Sequence, residues 1–362
     1  MRKTSKVVIK IGTKVITSKD RMLDTARIRE LVDQVSAVKA DGTDVIVVTS
    51  GAIGAGMGLL GLRKRPIKLP DVQATASIGQ GHLMHLYSEY FKAKGHLSGQ
   101  VLLTQEDFND RSRYLNIKYT IQALLGHGAV PVINENDTVS TEEIKFGDND
   151  RLASLVSDLC QVDKLIILTD VDGLLDEDCN VIENVEKLTS RVLKLARSSS
   201  CDLGTGGMAS KLESIRRVTS AGIECVIANG KKKDVILKIM AGEKTGTTFK
   251  GQSIKIMAKK RWIAFSSRPK GAIMVDNGAK DALSKNDKSL LPSGILGAEG
   301  DFSSGDVIRI TDKEGKEFAR GLVNYSSSEI LKIKGIKTGQ IKGVLGYNKD
   351  DEVVHKDDLV IL

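Results

Sequence analysis

The stretch from Val130 to Leu152 reads VPVINENDTVSTEEIKFGDNDRL and is the most informative part of the chain. An apolar, strand-like run opens it and leads into a first polar cluster, Asn134-Glu135-Asn136-Asp137. A second polar cluster, Asp148-Asn149-Asp150, follows before the apolar pattern resumes. Carboxylates and amides without histidine or cysteine are typical of a site that binds an ammonium group, a metal or a phosphate through fixed charges and dipoles. A long polar surface loop is the alternative interpretation.

Length and composition are those of an ordinary soluble globular protein with two domains. The chain has 362 residues, of which 41% are hydrophobic and 28% charged, so it can build a substantial core and exceeds a typical single domain. No apolar run has the length of a membrane span, and the N-terminus MRKTSKVVIKIG lacks the apolar centre of a signal peptide. We therefore expect a cytoplasmic protein without a membrane partner.

The four cysteines are scattered and form no CxxC pair; they are Cys160, Cys179, Cys201 and Cys225. Because cytoplasmic proteins rarely contain disulfides, we expect all four to be reduced thiols.

Positive charge is concentrated in one segment. The formal net charge is +8, and the segment from Lys231 to Trp262 alone has ten basic and two acidic residues. Such a segment can attract phosphate polymers such as RNA. A solvated connector between domains explains the same lysines, so both interpretations stay open.

The first 230 residues alternate between apolar runs and segments of helical periodicity. Six strands are predicted, at Lys6–Ile11, Asp44–Thr49, Gln100–Leu103, Val130–Ile133, Lys164–Thr169 and Glu224–Ala228. Between them, one helical face carries Ile28, Leu31, Val32, Val35 and Val38, and another carries Tyr114, Ile117, Ile121, Leu124 and Leu125. This alternation predicts an α/β three-layer sandwich with a mainly parallel sheet. Ligands of such sheets bind beyond the carboxyl ends of the strands.

After about Lys255 the pattern changes to short strand-like runs separated by Gly- and Ser-rich turns. The predicted strands are Ala272–Val275, Asp306–Ile310, Phe318–Val323 and Glu329–Lys334. We therefore expect a first domain over residues 1–255, a basic linker over 256–271 and a small, mainly β domain over 272–362.

Two glycine-rich segments and one lysine are candidates for binding anions. The turn from Thr49 to Gly58 leaves a strand and enters a helix, which exposes backbone N–H groups, but it matches neither GxxxxGK[ST] nor GxGxxG. Lys10 lies in an apolar strand before Gly12, where a buried ammonium needs an anionic partner such as phosphate. The segment Thr205–Lys211 is predicted as a small-residue loop entering a helix with Lys211 in its first turn.

Each candidate also has a purely structural interpretation. The glycines can serve tight packing between strand and helix, Lys10 can extend its ammonium to water, and Thr205–Lys211 can be a surface loop. The segment Thr169–Leu174, TDVDGL, is either a simple β-turn or the edge of the site that faces a nucleotide.

Taken together and in order, six motifs resemble a known family. Over about residues 5 to 255, the chain closely resembles the glutamate 5-kinase branch of the amino acid kinase family. The motifs that carry this resemblance are, in order, VVIKIGTKV, VTSGAIGAG, VPVINENDTV, FGDNDRLA, LTDVDGL and GTGGMASK. The tail from GAIMVDNGAKDAL onwards resembles a PUA domain. The resemblance implies ATP-dependent phosphorylation of the L-glutamate side-chain carboxylate as the first step of proline biosynthesis.

The resemblance also implies roles for individual residues. Lys10 and Lys211 would neutralise phosphate, with Asp150 as the carboxylate that positions both. Glutamate would be held by Ser50, Gly51, Ala52, Asn134, Asp137 and Asn149. ATP would be held by Lys10, Thr169, Asp170, Thr205, Gly206, Gly207, Met208, Ala209, Ser210 and Lys211. Mg²⁺ would enter with ATP, and no metal ligand is assigned to the protein itself. Proline feedback inhibition, a homodimer or homotetramer, and RNA binding by the PUA domain are further implications.

Two other functions remain alternatives at this point. One is a kinase for another small acid, such as acetylglutamate, aspartate or carbamate, although the NEND and GDND pair favours free glutamate. The other is an RNA-binding protein that acts through the PUA domain, although only 4% of the residues are aromatic and few bases could stack on them. A glutamate carboxylate is ionised at neutral pH, with a pKa of about 4.3, so its phosphorylation needs no general base. The lack of candidate nucleophiles is consistent with this chemistry.

Overall fold

The computed structural model describes residues 5–18, 22–139, 149–198, 205–252, 258–266 and 269–362. The chain divides into two compact units, residues 1–255 and 256–362.

An eight-stranded sheet forms the centre of the first unit. Its strands are β1 (Lys6–Ile11), β2 (Asp44–Val48), β3 (Ser98–Leu103), β4 (Val130–Glu135), β5 (Lys164–Thr169), β6 (Asn184–Val185), β7 (Glu224–Asn229) and β8 (Thr247–Phe249). The order across the sheet is β3-β4-β2-β1-β5-β7-β8-β6. Neighbours from β3 to β7 run parallel, β8 runs antiparallel to β7, and β6 runs parallel to β8. All six predicted strands are therefore present.

Helices cover both faces of this sheet. They are α1 (Thr25–Ala40), α2 (Ala52–Leu59), α3 (Leu69–Ala93), α4 (Arg111–Gly126), α5 (Asn149–Cys160), α6 (Ser190–Ser198), α7 (Thr205–Ser220) and α8 (Val235–Met240). One layer contains α1, α2, α3 and α8, and the other contains α4, α5, α6 and α7. The predicted three-layer sandwich is confirmed. None of the described helices has the length and apolarity that a membrane span needs.

Strand alternation in β1 decides which layer each side chain meets. Val7, Ile9 and Ile11 lie in the core shared with α1, α3 and α8. Because successive side chains of a strand point to opposite faces, Lys10 points to the other layer, where α5 packs on β1. The strand thereby directs a lysine towards the first turn of α5.

The second unit is a smaller sheet with its own helices. It contains α9 (Ala258–Arg261), a π-helical turn (Trp262–Ser266), β9 (Gly271–Val275), α10 (Asn277–Asn286), β10 (Ile295–Gly300), β11 (Val307–Thr311), β12 (Glu317–Leu322), α11 (Ser327–Ile333), α12 (Ile341–Leu345) and β13 (Leu359–Ile361). The strand order is β10-β9-β11-β12-β13. Only β9 and β11 run parallel. A separate apolar core closes this unit, so the expectation of a mainly β C-terminal part is confirmed.

One predicted strand of the second unit is wrong. Glu329–Lys334 was expected to be a strand, but Glu329 to Ile333 lie in α11. A capping box starts this helix: Glu329 donates its N–H to the Ser326 hydroxyl, and the Glu329 carboxylate accepts the Ser326 N–H at 2.7 Å. Ile330 and Ile333 are both buried. Residues three apart share one face of a helix but lie on opposite faces of a strand, so burial of both requires the helix.

The expectation for the cysteines is partly wrong. Cys160 and Cys225 are free and buried, but Cys179 is disulfide-bonded. Cys201 lies outside the described residues.

Candidate active site

The predicted site residues gather at one edge of the sheet because parallel strands end there together. Lys10 of β1 is paired in register with Val48 near the end of β2 and with Ile167 near the end of β5. The segments that follow these strands therefore begin side by side. This is the edge at which ligands of open α/β sheets bind.

Two lysines share one carboxylate at this edge. The Lys10 ammonium lies 2.6 Å from one oxygen of Asp150, and the Lys211 ammonium lies 2.9 Å from the other. The Asp150 side chain is fully buried, and the lysine side chains are only 6% and 14% exposed. Three residues that are far apart in the sequence thus form one fixed cluster with a net positive charge. A buried ion cluster of this kind is held in place by mutual pairing rather than by solvent.

The position of Asp150 follows from the start of α5. Asn149 and Asp150 are its first two residues, and the helix dipole favours a negative charge in the first turn of a helix. Because α5 packs on β1, this carboxylate meets the lysine that β1 directs to the same layer. The helix start and the strand alternation together build the cluster.

Asn149 links the ends of β2 and β4. Its amide nitrogen donates to the Thr49 carbonyl oxygen at 2.6 Å, to the Ser50 hydroxyl at 2.9 Å and to the Asn134 side-chain oxygen at 2.9 Å. Asn134 in turn donates to the Gln80 side-chain oxygen at 2.7 Å. The structure therefore brings Ser50, Asn134 and Asn149 into one network.

The Asn149 side chain also offers an acceptor. Two of its contacts are carbonyl oxygens, which require the amide nitrogen, so the orientation of the amide is determined. Its Oδ1 atom is buried, and among the described residues it has no hydrogen-bond partner. An unpaired buried acceptor costs about 1–3 kcal/mol. A bound group with N–H donors would remove that cost.

The turn after β2 has the backbone geometry of an anion-binding helix start. Gly51 is the N-cap of α2 and has a left-handed conformation, with φ of 101°, which glycine adopts without the strain that other residues incur. The first helical hydrogen bond runs from the Ala55 N–H to the Gly51 carbonyl. Helix geometry therefore leaves the N–H groups of Gly51 and Ala52 outside the helical bonding pattern.

Asp137 lines a cavity beside this network. The cavity has a volume of about 210 Å³ and is lined by Ala76, Ser77, Gln80, Gly81, Gln100, Leu102, Glu135, Asn136, Asp137 and Thr138. Burial raises the pKa of the Asp137 carboxyl above its usual value, and the positive charge of Arg65 opposes this rise. A partly desolvated carboxylate in a cavity of this size can pair with the ammonium group of a small molecule.

Thr169 and Asp170 lie at the end of β5, on the other side of β1. The Thr169 hydroxyl donates to Asp170 at 3.2 Å, and the Lys14 ammonium lies 2.8 Å from the same carboxylate. Partial burial raises the pKa of Asp170, but hydrogen bonds and the charge of Lys14 together lower it below its usual value. Asp170 is therefore ionised at neutral pH.

The start of α7 differs from the expectation. The segment Thr205–Lys211 was predicted as a small-residue loop entering a helix with Lys211 in its first turn. All of it is helical instead: α7 runs from Thr205, and Lys211 lies in its second turn. The N–H groups outside the helical bonding pattern are therefore those of the first turn, including Gly206 and Gly207, while Met208, Ala209 and Ser210 continue the helix.

Part of the predicted site lies outside the described residues. Residues 140–148 include Gly147 and Asp148, which are the first two residues of the GDND motif. Residues 199–204, just before α7, are also outside the described part.

One residue that contacts the site was not predicted. Gln80 of α3 lines the cavity and accepts the hydrogen bond from Asn134. It lies in no recognisable motif, and a polar residue in a long amphipathic helix looks like an ordinary surface position. Only the packing of α3 on the sheet brings it to the site.

Comparisons with known proteins identify the family of the chain. Residues 5–229 match the amino acid kinase family, and residues 271–345 match the PUA domain. A protein named glutamate 5-kinase from Caldanaerobacter subterraneus subsp. tengcongensis is 49% identical over 99% of this chain and 98% of its own length. Glutamate 5-kinases from Thermoanaerobacter pseudethanolicus and Moorella thermoacetica are 47% and 46% identical over 99% of this chain, and over 98% and 96% of their own lengths. The chain therefore belongs to the glutamate 5-kinase branch of the amino acid kinase family and carries a C-terminal PUA domain.

Proposed function

We infer that the chain transfers a phosphoryl group from ATP to the side-chain carboxylate of L-glutamate. The products are glutamyl 5-phosphate and ADP, and the reaction is the first step of proline biosynthesis. The observation that carries this function is the cluster of two lysines on one buried carboxylate, Lys10, Asp150 and Lys211. The similarity to glutamate 5-kinases over nearly the whole chain supports the same conclusion.

The cluster suits phosphoryl transfer between two anions. Glutamate brings an ionised carboxylate and needs no base, so the barrier comes from the approach of two anions and from the charge on the transferred group. We propose that Lys10 and Lys211 neutralise this charge and that Asp150 fixes their positions. Because the ammonium groups are already held before the reaction, little reorganisation is needed in the transition state.

The residues fit a divalent cation that enters with ATP. Mg²⁺ is usually bound through substrate phosphates and one or two carboxylates. In the described ranges, no group of three or more His, Cys, Asp or Glu residues could hold a metal ion on its own. Asp150 is fully buried and has a lysine on each oxygen, whereas Asp170 has one lysine partner, Lys14, and is 30% exposed; we propose Asp170 as the carboxylate that would contact Mg²⁺. When bound, the ion would neutralise phosphate charge.

For glutamate, we propose that opposite charges and amide groups fix both ends of the amino acid backbone. Asp137 and the Oδ1 atom of Asn149 would accept hydrogen bonds from its ammonium group. The N–H groups of Gly51 and Ala52 would bind its α-carboxylate, with Ser50 beside them, and Asn134 would hold Asn149 in place. This arrangement requires a free ammonium group, which acetylglutamate lacks.

For ATP, we propose that its phosphates lie against Lys10 and the first turn of α7. The N–H groups of Gly206 and Gly207, together with Thr205, would face the phosphates, and Lys211 would reach them from the second turn. Met208, Ala209 and Ser210 would complete the binding segment as part of the helix. Thr169 and Asp170 would line the opposite side of the nucleotide.

Several further properties are proposals that rest on the family. The cytoplasmic location, a dimer or tetramer, and inhibition by proline belong to this group. We also propose that residues 1–255 form the kinase domain and that 272–362 is the PUA domain. The basic segment 256–271, proposed as the linker, contains α9 and the π-helical turn and belongs to the second compact unit. The match of residues 271–345 to that domain supports RNA as a partner.

The proposed function predicts that L-glutamate is the phosphoryl acceptor in a trapping assay. With ATP, Mg²⁺ and hydroxylamine, the protein should convert L-glutamate to a hydroxamate, because hydroxylamine traps acyl phosphates. Acetylglutamate, aspartate and carbamate serve as competing acceptors in parallel reactions. Hydroxamate formation with one of these but not with glutamate would overturn the proposed substrate.

The proposed role of Asp137 predicts a pH-dependent affinity. Its raised pKa means that the carboxylate is protonated at a higher pH than an ordinary aspartate. The KM for glutamate should therefore be low above this pKa and rise as the pH falls through it, because the charge opposite the ammonium is lost. In Asp137→Asn, the KM for glutamate should be high at every pH and should not rise further as the pH falls. The KM for ATP should be unchanged. Equal losses of affinity for both substrates would place Asp137 elsewhere in the mechanism.

A further inference from the structure

Helix α3 carries none of the residues assigned to binding or chemistry, yet it contacts the acceptor side of the site at three points. Gln80 accepts the hydrogen bond from Asn134, and the Tyr87 hydroxyl lies 2.9 Å from the Thr49 hydroxyl. Gly79 lies against Ala52: a Cβ atom on Gly79 would be 1.9 Å from the Ala52 carbonyl oxygen. Gln80 and Tyr87 are seven residues apart, which places them on one face of the helix.

The hydroxyl groups of Tyr87 and Thr49 form a directed chain. The Thr49 hydroxyl donates to the Ser50 carbonyl oxygen at 3.1 Å, so its own oxygen is left to accept from the Tyr87 hydroxyl. Both side chains are almost completely buried. Water therefore cannot replace Tyr87 as the donor to the Thr49 oxygen, and the Tyr87 hydroxyl depends on Thr49 for this hydrogen bond.

The two hydrogen-bonded hydroxyl groups fix the orientation of the peptide group between Ser50 and Gly51. A trans peptide is planar, so its C=O and N–H point in opposite directions. With the Ser50 carbonyl held by the Thr49 hydroxyl, the Gly51 N–H of the same peptide must point away from that hydroxyl. Gly51 is the residue whose left-handed conformation starts α2. Glycine can adopt many conformations, so a fixed peptide orientation here needs an external constraint.

We propose that Tyr87 is a positioning residue for the acceptor substrate. Acting through Thr49, it orients the Ser50–Gly51 peptide so that the N–H groups at the start of α2 face the α-carboxylate of glutamate. Gly79 permits the close approach of α3 that this contact requires. The proposal rests on the proposed glutamate site but adds a residue that does not touch the substrate.

Substitutions that remove single hydroxyl groups test this role. Tyr87→Phe and Thr49→Val each remove one hydroxyl and preserve most of the side-chain shape. Each should raise the KM for glutamate about three- to tenfold, the effect of one net hydrogen bond. The kcat and the KM for ATP should stay close to wild type. Thr49→Ser keeps the hydroxyl and should restore the low KM.

A double substitution makes the test sharper. If the two hydroxyl groups act as one chain, Tyr87→Phe should add no further loss in the Thr49→Val background. Tyr90→Phe is the matched control, because Tyr90 is in the same helix and contacts Arg29 rather than the site. Thermal denaturation of every variant reports on the fold independently of the kinetics.

The outcomes separate this proposal from the function itself. Lack of glutamate phosphorylation by the wild-type protein would overturn the function. If the wild type is active, the proposal for Tyr87 fails on any of three results: a KM for glutamate like that of Tyr90→Phe, an equal rise in the KM for ATP, or full additivity with Thr49→Val.

Discussion

Replacing Lys10 or Lys211 by alanine is expected to lower kcat about 10²–10³-fold, because in the proposed mechanism each ammonium supplies a fixed charge at the transferred phosphoryl group. The fold should tolerate either change. Asp150 is paired with both lysines, so each single variant leaves its carboxylate with one cationic partner. Steady-state kcat at saturating ATP and glutamate measures the effect, and thermal denaturation shows whether the variant is folded.

Lys164→Ala is the matched control for these two variants. Lys164 is also a strand lysine in an ion pair, at 3.0 Å from Glu224, but it begins β5 at the opposite edge of the sheet. Its removal should leave kcat close to wild type. If Lys10→Ala or Lys211→Ala were folded and as active as Lys164→Ala, that lysine would have no role in phosphoryl transfer.

Asp150→Asn is expected to reduce both activity and stability. The amide keeps the shape of the carboxylate but removes the charge that holds two ammonium groups together. Breaking a buried ion pair from one side costs about 3–5 kcal/mol, since it leaves uncompensated charge in the interior. The kcat should fall at least as far as in the lysine variants, because both lysines lose their fixed positions. Denaturant unfolding and steady-state kinetics measure the two effects.

A substitution of a second aspartate in the same helix separates the loss of activity from the loss of stability. Asp158 is also buried in α5, eight residues further along, which is about 12 Å along a helix axis. Asp158→Asn should affect stability without a comparable loss of kcat. Equal losses of kcat in both variants would mean that Asp150 supports the helix rather than the lysines.

The sheet was predictable from the sequence because its central strands are covered on both faces. Such strands appear in the sequence as continuous apolar runs rather than as alternating patterns. For Lys6–Ile11 and Lys164–Thr169, the observed strand bounds are the predicted ones. The C-terminal run Glu329–Lys334 is shorter and mixes lysines with apolar residues, so its period is ambiguous. The cap at Ser326 and the core contacts of the helix decided its conformation.

The site was predictable only in part. A lysine within the apolar β1 strand indicated a buried charge that needs a partner. The spacing alone did not pair it with Asp150, which lies far along the chain; only the family resemblance named that carboxylate. The start of α7 was missed because Gly206 and Gly207 are poor helix formers. The positions of Gln80 and Tyr87 at the site depend on how α3 packs, which a sequence pattern does not specify.

The most direct test of the proposed reaction follows an oxygen atom. L-Glutamate labelled with ¹⁸O only in its side-chain carboxylate is incubated with the protein, ATP, Mg²⁺ and hydroxylamine, and the released phosphate is analysed by mass spectrometry. If the side-chain carboxylate attacks the terminal phosphorus of ATP, one labelled oxygen bridges to phosphorus and leaves with the phosphate when hydroxylamine attacks the carbonyl carbon. We predict phosphate with one ¹⁸O for each hydroxamate formed. Hydroxamate accompanied by unlabelled phosphate would contradict the account.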